Sequence, residues 1–429
     1  MYSTRSGLRR HLNSDITTNT KLTYPEHFST SGICSVCVRD GLCEIGRKSK
    51  EGRALFPEPF GVAQFGAEKK IPYINDLQIV PELFGKEIYF HDVKTECTIG
   101  KLKVALPVVV AAMGSTKVAN DLGEPLAIGS AKAGIPMVIG ENILITFGKE
   151  GLKKRIQPYL NNYKKQGGVV VQGNPTDQKC GVFDFAEEFG AHAIELKLGQ
   201  GAKQGLGGEI KFTGDADAKK YEEAGYRVVK NADGSYQRHA MPGSLVEEDL
   251  RSLLIKYSEY GLPIWAKIGM GRGILKLIEF FEKVKKEQGI PFECLTIDGH
   301  GGGTGMSPWL IMNETSIPSG SVFSTLEKKP GFDILLAGGY VDGADITKAL
   351  MLGAKGVAMG RSMLIAASTD KTGGTGIVNY MKAIKEELQM LCATQRVDSV
   401  EKLIGKKNNL YPLSNAAARM FGIDGKNCF

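Results

Sequence analysis

The chain has 429 residues, 42% of them hydrophobic and 24% charged, an ordinary globular composition. That is long for one compact domain but fits a barrel of about 250 residues with additions at either end. No apolar run reaches the roughly 18 residues of a membrane helix, and the net charge of +7 is spread out, with no basic run interleaved with aromatics. Neither a membrane nor a nucleic acid is therefore expected as a partner, and a small acidic ligand suits the balance better.

Residues 1–30 are rich in Arg, Ser and Thr, with no acid before Asp15 and no strong apolar face. They are expected as an N-terminal extension and not as a targeting segment. Residues 31–103 form a cysteine-containing segment ahead of the barrel. Within it, "CSVCVRDGLC" places Cys34, Cys37 and Cys43 at metal-type spacing. Thiolates two residues apart converge on one metal or cluster edge. An iron–sulfur cluster, expected as 4Fe–4S, zinc, and unliganded thiols are all compatible with the spacing. Cys97 is the nearest fourth ligand, with His27 and His91 as others. Eight cysteines so unevenly placed make no disulfide framework, which points to a reducing, cytoplasmic setting.

From residue 104 to 370 the chain alternates short apolar runs with amphipathic helical stretches. The runs are 105–112, 135–141, 168–173, 191–199, 262–269, 293–299, 332–339 and 356–360. Continuous apolar strands are what a parallel sheet buried on both faces demands. Eight strand–helix units predict a closed (β/α)8 TIM barrel. A long insertion follows the fourth strand, including a hairpin over 225–239 with its turn at Asp233–Gly234. The insertion leaves directly after Gln200 and Lys203, so it is placed as a lid. Residues 371–429 are expected as a C-terminal helical extension.

Active sites of such barrels form at the C-terminal ends of the strands. The residues just after the strands here are Met113, Glu141, Gln172, Gln200, Lys203, Asp298 and His300. Lys267 interrupts an apolar strand, where a buried ammonium needs a counter-charge or an anionic ligand. Gly338–Gly339 follow the seventh strand and Gly360–Arg361 the eighth. With Gly301, Gly302, Gly303 and Thr304 after the sixth, they predict a phosphate cradled by backbone N–H groups.

These residues resemble the FMN-binding synthase domain of the glutamate synthase family. The resemblance rests on "NDLQIVPELFG" (75–85), "ELKLGQGAKQGLGG" (195–208), "TIDGHGGGTGMSP" (296–308), "LAGGYVDGADITKALMLGA" (336–354) and "AMGRSMLIA" (358–366). It implies FMN with its phosphate at Gly302, Gly303, Thr304, Gly338, Gly339, Gly360 and Arg361. It places Ala111, Ala112 and Met113 against the ring system, Gln172 on the pyrimidine edge, and Lys267 near the N1/O2 locus, where a cation tunes the flavin potential. Lys267 and Glu141 are the implied catalytic residues; Gln200, Lys203 and His300 would meet the substrate. The implied reaction is reduction of a 2-imino or 2-oxo acid, such as 2-oxoglutarate plus ammonia to glutamate.

The chain also departs from that family. The Arg-Phe-Gly expected after the third strand is replaced by "QGNPTDQKCGV", where Lys179 is an imperfect substitute. "GENI" keeps only Glu141 of Gly-Glu-Gly-Gly, and residues 361–391 lack the three cysteines of a 3Fe–4S cluster. No glutaminase domain precedes the barrel, so a partner subunit is expected to supply electrons or the amine, and an oligomer is expected. The rival readings are an FMN-dependent isomerase resembling type 2 isopentenyl-diphosphate isomerase, and a non-catalytic flavin or iron–sulfur electron-transfer subunit.

Overall fold

A computed structural model describes residues 71–203, 205–206, 209–299, 315–370 and 372–426. The short strand β1 (Leu77–Ile79) opens the described chain, followed by a hairpin of β2 (Cys97–Ile99) and β3 (Leu102–Val104). Four strands then alternate with helices: β4 (Val108–Met113), β5 (Pro136–Ile139), β6 (Gly168–Gly173) and β7 (Ala193–Lys197). Their helices are α1 (Lys117–Asp121), α2 (Gly123–Ala133), α3 (Ile143–Asn162), α4 (Pro175–Lys179) and α5 (Val182–Glu188).

An insertion follows, in which β8 (Glu209–Phe212), β9 (Arg227–Lys230) and β10 (Tyr236–His239) make an antiparallel sheet beside α6 (Asp215–Glu223). The hairpin expected over 225–239 is the β9–β10 pair, and Gly234 sits at its turn with φ +81°. After α7 (Glu247–Ser258) come β11 (Ile264–Gly269), α8 (Ile274–Gln288), β12 (Phe292–Asp298), β13 (Asp333–Ala337), α9 (Gly343–Leu352) and β14 (Gly356–Met359). The chain ends with α10 (Arg361–Thr369), α11 (Thr375–Thr394), β15 (Leu410–Pro412) and α12 (Asn415–Phe421), and β15 pairs antiparallel with β1.

The eight expected strands close into one parallel barrel, in the order β11-β12-β13-β14-β4-β5-β6-β7. Every residue of β5, β6, β7, β11 and β14 is buried, which is why their sequences are continuous and not alternating. No helix among the described residues is long and apolar enough to cross a membrane.

The base of the barrel is plugged. Trp265 is fully buried and its Nε1 donates to Gly100 O at 3.1 Å, while Gly100 N donates to Asp333 Oδ2 at 2.9 Å. Gly100 has φ +50°, and a Cβ there would lie 2.3 Å from Trp265 Nε1, so the β2–β3 turn requires glycine. Val109, Val138, Val170, Ala193, Trp265, Cys294, Leu335 and Ala358 fill the interior above that turn. With its base sealed by apolar side chains, the barrel presents its chemistry at the opposite end.

Candidate active site

The pleat dictates what the upper interior contains. Alternate residues of a strand share a face, so each apolar interior residue predicts the one two positions on. Above Val170 comes Gln172, above Ala193 come Glu195 and Lys197, above Trp265 comes Lys267, and above Cys294 come Thr296 and Asp298. The side-chain contacts agree. Gln172 Nε2 donates to Glu195 Oε1 at 2.5 Å, Thr296 Oγ1 donates to Glu195 Oε2 at 3.5 Å, and Lys267 Nζ lies 3.2 Å from Asp298 Oδ2. An apolar barrel therefore carries a polar ring just below its mouth.

Lys267, singled out by sequence, points inward as expected. Burial opposes its charge, but Asp298 and Glu195 outweigh that and raise its pKa. Burial pushes the Glu195 carboxyl up, against the pull of Lys267 and Gln172.

A second group surrounds Glu141, immediately after β5. Lys197 Nζ is 3.5 Å and Lys203 Nζ 3.9 Å from Glu141 Oε1, and Lys197 Nζ also donates to Gln200 Oε1 at 3.1 Å. Gln200 and Lys203 are both buried. Burial would raise the Glu141 carboxyl, yet Lys197, Lys203 and an Asn174 hydrogen bond hold it at about 2. Burial and the neighbouring ammonium groups bring Lys197 down to about 8, opposed by Glu141.

The loops behind Glu141 hold it in place. Asn174 Nδ2 donates to Glu141 Oε2 and to Asn142 Oδ1, both at 3.0 Å. Asn142, in the left-handed region at φ +67°, donates its N–H to Asp177 Oδ2 at 2.9 Å. Asparagine is one of the few residues that adopt this conformation readily. Burial lifts Asp177 to about 7 despite those N–H donors.

The insertion docks here. Tyr226 OH donates to Asn142 Oδ1 at 2.5 Å, and the Arg238 guanidinium stacks over the Tyr221 and Tyr226 rings at 4.3 and 4.5 Å. Arg238 is 1% exposed, and its Nε and Nη2 have no hydrogen-bond partner among the described residues. The guanidinium acts on the neighbouring buried Asp177 carboxyl and leaves two donors that an anion could use.

The remaining sequence candidates divide by position. Ala111 and Ala112 pack against the barrel interior and Met113 against the outer core, across a pairing irregularity between Val110 and Met113. Irregularities of this kind re-aim strand ends beside active sites. Gly338 and Gly339 follow β13 with φ of +105° and +92°, conformations that favour glycine. Gly360 caps α10 and Arg361 opens it; burial lowers the Arg361 pKa to about 10. Lys179 is exposed and among the described residues reaches Met241 Sδ at 3.7 Å, so its side chain is turned to solvent and not buried with the cations around Glu141. Cys34, Cys37, Cys43, His300, Gly302, Gly303 and Thr304 lie outside the described residues.

Cys97 sits in β2 at the barrel base, packed against the interior cluster, and burial pushes its thiol up to about 12. Among the described residues no three His, Cys, Asp or Glu side chains are grouped to hold a metal.

Sequence reading missed Glu195, Lys197, Asn174 and Arg238. The first two had a signal, since "AIELK" sets two charges at alternate positions of a buried strand. Arg238 had none, because its burial is created by the insertion folding over Asn142 and Ile145.

Comparison with known proteins places the chain among relatives of one family. An archaeal glutamate synthase (NADPH) of Methanocaldococcus jannaschii is 24% identical over 371 residues, covering 77% of this chain and 66% of that protein. An archaeal-type glutamate synthase (NADPH) of Thermotoga neapolitana is 26% identical over 278 residues, covering 62% of this chain and 49% of that protein. The chain thus spans about half to two thirds of the length of these curated relatives. The flavin-binding domain of baker's yeast flavocytochrome b2 shares the fold with a TM-score of 0.56 at 19% identity, covering 81% of this chain and 78% of that one. Residues 81–372 match the conserved region in glutamate synthase, and the chain belongs to that family.

Proposed function

We propose that the barrel mouth binds FMN and reduces 2-iminoglutarate, formed from 2-oxoglutarate and ammonia, to glutamate. The observation that carries this reading is the pairing of two polar groups at one end of the barrel: the Gln172–Glu195–Lys267–Asp298 ring, and the cations around Glu141.

The donor set fits the cofactor. Gln172 offers an amide to a pyrimidine edge, and Lys267 offers a cation to the N1/O2 locus. Gly338, Gly339 and Gly360 offer accessible backbone, with Arg361 at the start of α10, to a phosphate. FMN would supply a hydride to the imine carbon.

The rest of the chemistry falls to side chains of this chain. Arg238 and Lys203 are suited to the two carboxylates of the substrate, Arg238 through its idle Nε and Nη2. Glu141, anionic at neutral pH, favours a protonated imine, C=NH2+, over the neutral one. Lys197, poised near 8, can hand its proton to the substrate nitrogen and regain it from solvent. Arg238 thereby takes the place that Lys179 does not fill.

Electrons and nitrogen would come from a partner protein. An iron–sulfur cluster on Cys34, Cys37 and Cys43 would suit electron delivery; Cys97, at the barrel base, lies at the end opposite the polar mouth. Anaerobic reduction of the cofactor, followed by 2-oxoglutarate with ammonium, tests the reaction. Reoxidation with one glutamate formed per flavin supports it. Reoxidation by 2-oxoglutarate without ammonium, or none at all, argues for an electron-transfer subunit or another substrate.

A further inference from the structure

Arg155, on α3, has no part in the chemistry described so far. It is 6% exposed, and burial lowers its guanidinium to about 10. Its Nη2 donates to Met113 O at 3.0 Å and to Gly114 O at 3.4 Å, and its Nη1 donates to Ala119 O. Gly123 makes room for it, since a Cβ there would lie 2.8 Å from Arg155 Cδ. The two terminal nitrogens of a buried cation are thus bonded to three carbonyl oxygens at the end of β4 and beyond it, while its Nε has no partner among the described residues.

Its effect on that segment follows from peptide geometry. A trans peptide is planar, so a carbonyl and the N–H that follows it point in opposite directions. With the Met113 and Gly114 carbonyls drawn toward Arg155 in the helical layer, the N–H groups of Gly114 and Ser115 face away from α3. Neither N–H has an acceptor among the described residues, and both residues are half-buried. Buried amides seldom go unmatched, and half-buried ones are free to take solvent or a ligand. Two in succession form a concave donor pair.

The segment has little freedom to turn them elsewhere. Gly140 N donates to Met113 O at 3.0 Å, and a Cβ on Gly114 would stand 2.3 Å from Glu141 O. The strand ends of β4 and β5 are pressed together backbone to backbone, with Arg155 closing the outer side.

We propose that Arg155 is a positioning residue that turns the Gly114 and Ser115 amides toward the flavin, where one of them donates to its N5 atom. The inference rests on the flavin reading of the mouth but not on any substrate. N5 of the oxidised ring accepts a hydrogen bond; the C–H that replaces it in 5-deaza-FMN does not. The planar fork of arginine suits adjacent carbonyls, whereas the single ammonium of lysine does not.

The test is the ratio of dissociation constants for 5-deaza-FMN and FMN, measured on apoprotein. Wild-type protein is expected to bind FMN about tenfold more tightly, the worth of one good hydrogen bond. Arg155→Met keeps the side-chain length, loses the donors, and brings the ratio to about one. The preference for FMN over riboflavin, which reports the phosphate loops, stays unchanged. Should Arg155→Met not fold, Gly123→Ala crowds the same guanidinium and is expected to lower the ratio likewise. Equal affinity of wild-type protein for the two flavins overturns the proposal, as does an undiminished preference in a folded Arg155→Met or Gly123→Ala. Binding of neither flavin overturns the proposal together with the flavin reading, and because no substrate enters the assay, a failed iminoglutarate reaction leaves it standing.

Discussion

Glu141 and Lys197 lie 3.5 Å apart in a site sheltered from water, and each sets the other's charge. Burial disfavours both ions, yet the pair leaves Glu141 at about 2 and Lys197 at about 8. Glu141 is depressed below its ordinary value of 4.5. Its contribution to stability is therefore present above about pH 4.5 and is lost as pH falls toward 2. For Lys197 the unfolded chain holds the proton more tightly, so its contribution makes stability rise from about pH 8 to 10.5.

Glu141→Gln removes the charge that supports the Lys197 proton. If Lys197 is the proton donor, turnover in the wild type falls as pH rises through about 8. In the variant that alkaline limb moves to lower pH, and turnover at neutral pH drops. A pH profile of kcat/KM reads this directly; a limb that stays in place assigns the proton to another group.

Lys267→Met is expected to lower the flavin reduction potential, because the cation that favours the anionic reduced ring is gone. It also leaves Asp298 buried without its partner, which costs about 3 to 5 kcal/mol of stability. Equilibration with reference dyes measures the potential, and denaturant unfolding measures the cost. An unchanged potential means that the ammonium does not act on the ring.

Arg238→Ala should weaken 2-oxoglutarate binding about 30-fold, corresponding to roughly 2 kcal/mol for a desolvated charge contact. FMN affinity should hold. Arg238→Lys should not restore the loss, since stacking on Tyr221 and Tyr226 and the planar fork both disappear. Titration of the oxidised holoprotein with 2-oxoglutarate gives the dissociation constant, and an unaltered value removes Arg238 from the substrate.

Much of this architecture was legible before folding. Strands buried on both faces are mostly apolar, and that marked all eight. Lys267 stood out because a charge inside such a run needs a reason. The same reasoning applies to Glu195 and Lys197, which alternate in β7 as interior residues must. Arg238 lies beyond such reasoning. It belongs to a polar hairpin, and only the tertiary docking of the insertion over Asn142 and Ile145 buries it. Lys179 shows the converse, a cation near the right place in sequence whose side chain faces solvent.

The cysteine segment has its own test. Anaerobic protein with a cluster on Cys34, Cys37 and Cys43 should carry about three or four iron atoms per chain. The triple Cys→Ser variant should lose the iron and keep FMN. Cys97→Ser should leave the iron in place, because that thiol is packed into the barrel base and held protonated to about 12. Loss of iron in Cys97→Ser would make it the fourth ligand, and zinc in its place would make the site a structural staple.

If the polar barrel mouth is a flavin site, the protein should carry the cofactor itself. Protein purified under mild conditions should be yellow, and heat or acid should release one FMN per chain. Gln172→Leu with Lys267→Met should abolish its retention, while the apoprotein of the wild type regains it from free FMN. Release of FAD, or wild-type protein that stays colourless after incubation with FMN, would contradict the account.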